Sequence, residues 1–370
     1  MNPAPSFIPP ATSARARSTG RFRIGFGVRF FVALLIGLVW VVPAAWSPQL
    51  IGGMFIWDAL CLLLWALDLQ RLPKPGELEL QRAWHTPPSL AVRSKVSVEL
   101  RNFGRRAVFA RVTDETSRAL CREIPVLELA APAGDSATAE YEILPAQRGD
   151  LAVGRLFVRY QSALRLAERW AVADMATSVR VLPNLEQAKQ QTLYLIRTRQ
   201  VAMERRRRRL RGLGREFESL REYRTGDEFR NISWTATARR SKVITRVFQV
   251  ERSQTVWIVL DAGRLLRQQI VRDGASLRLS KLDYAVDAAL SLAQVAMHSG
   301  DRVGLLAYGR EIQQNLNADR GASQLHSIVE SLAVVRAEPY EADHARAARA
   351  LLSEQHRRSL IVWITDLAET

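Results

Sequence analysis

Hydrophobic and polar positions divide the chain into three regimes. Near the start, Phe30 to Trp46 runs without a charged or strongly polar residue, and Leu50 to Leu67 is a second apolar block broken only by Asp58. Ser47, Pro48 and Gln49 separate the two blocks. Each block approaches the roughly 20 apolar residues that a membrane-crossing helix needs, so a two-helix hairpin is expected over residues 28–68. From Glu77 to about Pro183 apolar and polar residues alternate in short runs, as in Val96-Ser97-Val98-Glu99-Leu100. Asn102, Phe103 and Gly104 mark a turn, and Val108 to Val112, Tyr141 to Leu144, Leu151 to Val158 and Ser178 to Leu182 resume the alternation. Period-two runs punctuated by Pro and Gly predict an antiparallel β-sandwich over 75–184. Beyond residue 253 the pattern changes again. Val256 to Leu260, Val303 to Tyr308 and Leu360 to Ile364 are continuous apolar runs, as in strands buried on both faces. Tyr284 to His298, Gln324 to Val335 and Ala342 to Glu354 have helical patterns between them. This alternation predicts a doubly wound α/β domain with a parallel sheet over 253–370.

Charge adds an orientation. The chain has 370 residues and a formal net charge of +16. Arg15, Arg17, Arg21, Arg23 and Arg29 precede the first apolar block, Arg71 and Lys74 follow the second, and the connecting turn is uncharged. The positive-inside rule then puts both outer ends in the cytoplasm of a bacterial-type cell, at the inner membrane. Trp40, Trp46, Trp57 and Trp65 are expected as interfacial anchors. A cleaved signal peptide ending near Pro43-Ala44-Ala45 is the rival pattern, but a second apolar block follows at once. Residues 1–27, rich in Pro, Ser, Ala and Arg, are expected to lack fixed structure. Asp58 is expected to pack or hydrogen-bond, since two helices alone cannot enclose a transport path.

Few residues invite catalytic chemistry. The two cysteines are Cys61, in an apolar block, and Cys121, in a strand-like region, so neither a disulfide framework nor a thiolate metal site is expected. The five histidines, His85, His298, His326, His344 and His356, lack metal-ligand spacing. No nucleophile elbow, phosphate loop or dinucleotide fingerprint is present. The sequence therefore reads as a non-enzymatic binding protein without a cofactor. Leu185 to Leu210 has helical composition and carries Arg205 to Arg209 in succession. That run could meet anionic headgroups or RNA, although five consecutive residues cannot share one helical face, and no interleaved aromatics favour nucleic acid.

The densest motif lies in the segment 185–252. Glu216, Phe217, Arg221, Glu222, Tyr223, Gly226, Asp227, Arg230, Ile232, Trp234 and Arg239 interleave acids and arginines with aromatics. The pattern predicts a turn-rich segment clamped by bidentate Arg–carboxylate pairs, with aromatics as buried anchors, serving as a cap or an interface. Gly214, Glu216-Phe217, Leu220-Arg221-Glu222-Tyr223, Gly226-Asp227, Arg230-x-Ile232-x-Trp234 and Ala238-Arg239 together resemble the signature of the bacterial membrane family called domain of unknown function 58. The likeness extends to the apolar hairpin, the β-rich region with Arg148-Gly149, and the C-terminal α/β region. The resemblance implies a von Willebrand factor A-like C-terminal domain and a MoxR-type AAA+ ATPase as partner, in envelope complex assembly.

Such domains can hold Mg²⁺ at the carboxyl edge of the sheet through an Asp-x-Ser-x-Ser motif, a threonine and a later aspartate. Here Asp261 and Asp366 occupy the acidic positions, but Gly263 and Leu265 stand where the serines would be. The pair is thus a degenerate metal site, good at most for weak Mg²⁺. A metal-dependent hydrolase using these acids is the alternative from another class, and RNA or anionic-lipid binding through the arginine run is a third. A domain of this class would add a further helix and strands, so it is expected to be incomplete at Thr370.

Overall fold

The computed structural model describes residues 7–18, 24–44, 46–47, 51–184, 190, 216–225, 227, 229–249, 254–270, 277–354 and 358–366. Two compact units divide the chain, Pro5–Leu182 and Pro183–Thr370.

The first unit opens with three short strands, β1 (Thr12–Arg15), β2 (Arg17–Ser18) and β3 (Ile24–Phe26). This corrects the expectation of an unstructured start. Residues 14–17 alternate alanine with arginine, so Ala14 packs on the core and Ala16 is buried while Arg15 and Arg17 stay exposed. Next come α1 (Val28–Gly37), a 3-10 turn (Leu38–Trp40), α2 (Val41–Ala44) and the 21-residue α3 (Ile51–Arg71). At 1.5 Å per residue α3 is about 31 Å long. It is long and apolar enough to cross a membrane. The helices pack through Trp57, whose Nε1 donates to the Ala33 carbonyl at 2.8 Å. Gly37 allows this approach, because a Cβ there would lie 2.6 Å from Trp57 and 3.2 Å from an Asp58 carboxylate oxygen. Gly53 likewise admits the Trp40 ring, 2.9 Å from its would-be Cβ.

Eight strands follow: β4 (Leu78–Trp84), β5 (Ser94–Asn102), β6 (Val108–Thr116), β7 (Val126–Ala131), β8 (Ser136–Ile143), β9 (Gly149–Gln161), β10 (Ala167–Ala173) and β11 (Thr177–Val181). One sheet has the order β1-β4-β5-β8. The other runs β2-β10-β9-β6-β7, with β3 also on β10 and β11 also on β9. Inward residues alternate strictly, as in Leu78, Leu80, Arg82 and Trp84 of β4. Cys121 lies in the β6–β7 loop rather than in a strand.

Charged residues break the apolar pattern inside the sandwich. Arg82 and Asp114 are both fully buried and paired at 2.6 and 2.9 Å. Tyr141 donates to the same carboxylate at 2.8 Å, and Arg82 also donates to the carbonyls of Gly154 and Met175. Arg82 comes from one sheet and Asp114 from the other. The pair therefore links the two layers and gives each charge hydrogen-bond partners in compensation for lost hydration.

The second unit contains an antiparallel ladder of β12 (Glu216–Glu222) with β13 (Ile244–Gln249). A 3-10 turn (Phe229–Asn231) and α4 (Trp234–Arg240) lie between its strands. Next are β14 (Thr255–Asp261), a two-residue ladder of β15 (Gln269–Ile270) with β16 (Leu279–Ser280), α5 (Lys281–His298), β17 (Arg302–Tyr308), β18 (Ile312–Asp319), α6 (Ala322–Val334), α7 (His344–Glu354) and β19 (Leu360–Ile364). The main sheet has the order β18-β17-β14-β19. β14 is parallel to both β17 and β19, whereas β18 turns back antiparallel on β17. The sheet is therefore mixed, and β18 is an edge strand absent from the expected parallel set. Trp257 and Val259 pack with Leu306, Ala347 and Leu351 on one face, beneath α7. Ser280 caps α5 with a capping box to Asp283, so the helix starts at the chain position that brings Lys281 to the sheet edge.

Candidate functional site

The carboxyl ends of β14, β17 and β19 converge on a polar cluster. Backbone register places Asp261 beside Tyr308, and Leu260 beside Ile364. Asp261 is buried, with one carboxylate oxygen accepting from the Gly263 amide at 2.7 Å and the other from the Thr365 hydroxyl at 2.6 Å. Gly263 is tightly enclosed, since a Cβ there would lie 2.9 Å from the Ala342 nitrogen. Asp366, two residues past β19, is bound instead by the Lys281 ammonium at 2.7 Å. The two acids expected to share a weak metal thus have separate partners. A lysine charge takes the place beside Asp366 that a cation would need. Among the described residues, no group of three or more His, Cys, Asp or Glu side chains is arranged to hold a metal ion.

The same edge holds a chain of three rings. The Trp363 indole donates to the Tyr308 hydroxyl at 2.6 Å, and that hydroxyl lies 2.7 Å from His344 Nδ1. Indole N–H can only donate, so the phenol oxygen accepts from Trp363, while the imidazole tautomer sets which of Tyr308 and His344 donates in the second bond. Burial pushes the Tyr308 phenol well above its ordinary value, and nearby Asp261 adds to that shift. Tyr308 is thus a neutral hydrogen-bonding relay rather than a base. Beyond it Arg310, Glu311, Glu338, Tyr340, Asp343 and Arg346 line a polar cavity of about 600 Å³. Both signs of charge meet there, which suits a protein partner's mixed surface better than a single small ion.

The signature residues lie on and between β12 and β13. Arg221 binds one oxygen of Asp227 at 2.7 Å, while the Arg224 amide donates to the other at 3.0 Å. These bonds hold the Asp227 carboxyl below its usual range. Glu222 pairs with Lys242 at 2.9 Å, which lowers the acid and raises the amine. Tyr223 sits half-buried against Phe229, with ring centroids 5.9 Å apart. Ile232 is buried and bridges Thr245. Glu216 and Phe217 pair by backbone with Gln249 and Phe248.

Arg230 and Arg239 are exposed. Phe229 and Trp234 are 76% and 69% exposed, so these aromatics are not the expected buried anchors. Two strands and a short helix offer too little surface to enclose rings of that size. The expected Arg–carboxylate clamp is one Arg nitrogen plus a backbone amide. Gly226 and the Arg205 to Arg209 run lie outside the described residues.

Sequence reading missed Lys281, Tyr308, His344, Trp363 and Thr365 as members of the edge cluster. Their signal was positional, since Tyr308 ends one apolar run and Trp363 and Thr365 flank the end of another. Comparison with known families now decides one point: the family described as "Protein of unknown function DUF58" matches residues 219–370. Residues 219–370 are a DUF58 domain. The DUF58 match takes in all but the first three residues of the signature hairpin and the whole mixed sheet. Among curated proteins, uncharacterized protein Rv1480 of Mycobacterium tuberculosis is 28% identical over 157 residues, covering 42% of this chain and 48% of that protein. Uncharacterized protein Mb1516 of Mycobacterium bovis matches with the same values. The chain thus spans about half the length of the curated relatives it matches. Among solved structures, a PapD-like domain of human CEP192 covers 25% of this chain and 75% of its own, at 13% identity and a TM-score of 0.19. A β-glucosidase from Listeria innocua covers 28% of this chain and 16% of its own, at 16% identity and a TM-score of 0.16. Likenesses at those scores define no fold for the DUF58 domain or for the sandwich.

Proposed function

We propose that this chain is a membrane-tethered interaction protein, with α1 to α3 as a two-span hairpin and both units on the cytoplasmic face of the inner membrane. The observation that carries this reading is the apolar surface of the helices. Val28, Leu35, Val39, Phe55 and Ile56 are each more than 60% exposed, and similar residues continue between them. An apolar face of that extent is untenable in water and natural in lipid. Both outer helix ends meet the β9–β10 turn. Arg29, next to the start of α1, donates to the carbonyls of Ala163 and Leu164, and Asp68 at the end of α3 accepts from Ser162, Leu166 and Ala167. Ends held at one turn belong on one side of a bilayer, and the flanking arginines favour the cytoplasmic side.

In this reading the DUF58 domain is von Willebrand A-like, and the edge around Asp261, Tyr308 and His344 is its docking face. The family resemblance supplies the proposed partner, a MoxR-type AAA+ ATPase acting in envelope complex assembly. The test is a pull-down of the full chain from detergent-solubilised membranes, with and without Mg²⁺ and ATP. Recovery of an AAA+ ATPase by the native chain, and its loss in Asp261→Ala, supports the docking face. Equal recovery by both would remove that face from the account.

A further inference from the structure

The outer face of the second sandwich sheet carries a pocket of about 440 Å³, lined by β6, β7, β9, Arg165 of the β9–β10 turn and Val28, the first residue of α1. Arg111, Arg159 and Arg165 line it. Strand register sets Arg111 directly opposite Arg159, and like charges so placed repel. Glu168, only 2% exposed at its side chain, neutralises Arg159 through bonds of 2.6 and 2.7 Å and also accepts from Gln161. Glu128 faces Arg111 from β7 by register. Even so, neither Arg111 nor Arg165 forms an ion pair among the described residues. Arg165 is held in the left-handed region at φ 56°, with its guanidinium 5.3 Å from the Phe109 ring centroid. Two cations that form no ion pair thus border one pocket, which Glu128 also lines, and one of them lies over an aromatic face.

The rim of the pocket is apolar on the helix side. Val28 is 70% exposed, and Leu164 at the tip of the adjoining turn is 49% exposed. We propose that this pocket binds the phosphate of an anionic phospholipid headgroup, with Arg111 and Arg165 as its ligands. The chemistry is that of any phosphate monoanion or diester. Position selects the lipid, because acyl chains leaving the pocket past Val28 would run along the exposed side of α1. The proposal rests on the membrane reading above, and its residues are not those of the arginine run at 205–209.

The test uses the full chain in a neutral detergent, examined by native mass spectrometry with phosphatidylglycerol or phosphatidylcholine added. The native chain is expected to retain phosphatidylglycerol preferentially. The double variant Arg111→Gln, Arg165→Gln is expected to lose that retention about tenfold. Equal retention of both lipids, unchanged retention in the variant, or displacement of the lipid by millimolar inorganic phosphate would overturn the proposal. Partition into vesicles, measured in parallel, separates the two ideas. A chain that does not partition removes the membrane reading and the site with it, whereas one that partitions without headgroup preference removes only the site.

Discussion

Asp68, on the last turn of α3, accepts a hydrogen bond from the Ser162 hydroxyl at 2.5 Å although 94 residues separate them. The same carboxylate accepts from the Leu166 and Ala167 amides at 3.2 and 3.0 Å. Around it Trp65 stacks on Phe26 and donates to the Gly25 carbonyl, while Arg169 donates to the Leu69 carbonyl. The base of the apolar hairpin is thereby fixed to the sandwich by directional bonds, so a force or tilt at the helices would be passed to the β unit. Asp68→Ala is expected to lower stability by about 3 kcal/mol, because it strands buried donors. Thermal unfolding in detergent, with protease cutting near residues 162–166, would measure it. Asp68→Asn, which keeps one acceptor, should lose less.

The buried pair of Arg82 and Asp114 makes a second prediction. Arg82→Met leaves a buried carboxylate without its cation and should cost about 4 kcal/mol. Adding Asp114→Leu to that variant should recover part of the loss, since an apolar pair removes the unpaired charge. Denaturant unfolding of the two variants and the native chain gives the sign. A double variant less stable than Arg82→Met would contradict it.

Lys281 offers a test at the sheet edge. Its ammonium holds Asp366 at 2.7 Å. Lys281→Met should free that carboxylate and raise the response to Mg²⁺, read as a larger Mg²⁺-induced rise in unfolding temperature than the native chain shows. The same response in both chains would mean that Lys281 does not control access to these acids.

The signature turn should be acid-sensitive. The folded Asp227 carboxyl lies below the ordinary value of 3.8 because Arg221 and the Arg224 amide bind its ionised form. Its contribution is therefore fully present above that ordinary value and is lost as pH falls through the lowered folded one. Hydrogen exchange of the Arg224 amide, which bonds the Asp227 carboxylate, gives a local signal. That signal should change below pH 3.8 in the native chain and lose this step in Asp227→Asn.

Large apolar and alternating patterns made much of the first unit legible. The second apolar block became α3, the first is divided among α1, a 3-10 turn and α2, and inward residues of β4 to β6 follow the expected period of two. The buried charges were readable in principle, since Arg82 follows Leu78 and Leu80 in register and Asp114 follows Val108, Ala110 and Val112. A charge in an inward register announces a partner across the core, but only the fold says which one. The strands at 12–18 stayed hidden because alanine and serine give little hydropathy contrast. The strand β18 stayed hidden because Ile312, Leu316 and Ala318 are its only apolar residues and it covers an edge. At the sheet edge Asp261 was found from its place after an apolar run. His344 was not, because its bond to Tyr308 joins residues 36 apart through tertiary packing.

The central claim is the tethered hairpin, and cysteine accessibility tests it most directly. With Cys61 and Cys121 replaced, a single Ser47→Cys in the turn between the apolar blocks is compared with Ala133→Cys in the β7–β8 turn of the sandwich. Both positions are exposed. A membrane-impermeant maleimide applied to right-side-out spheroplasts should label Ser47→Cys at once and Ala133→Cys only after lysis. Equal labelling of the two before lysis, or recovery of the chain in the soluble fraction, would contradict the account.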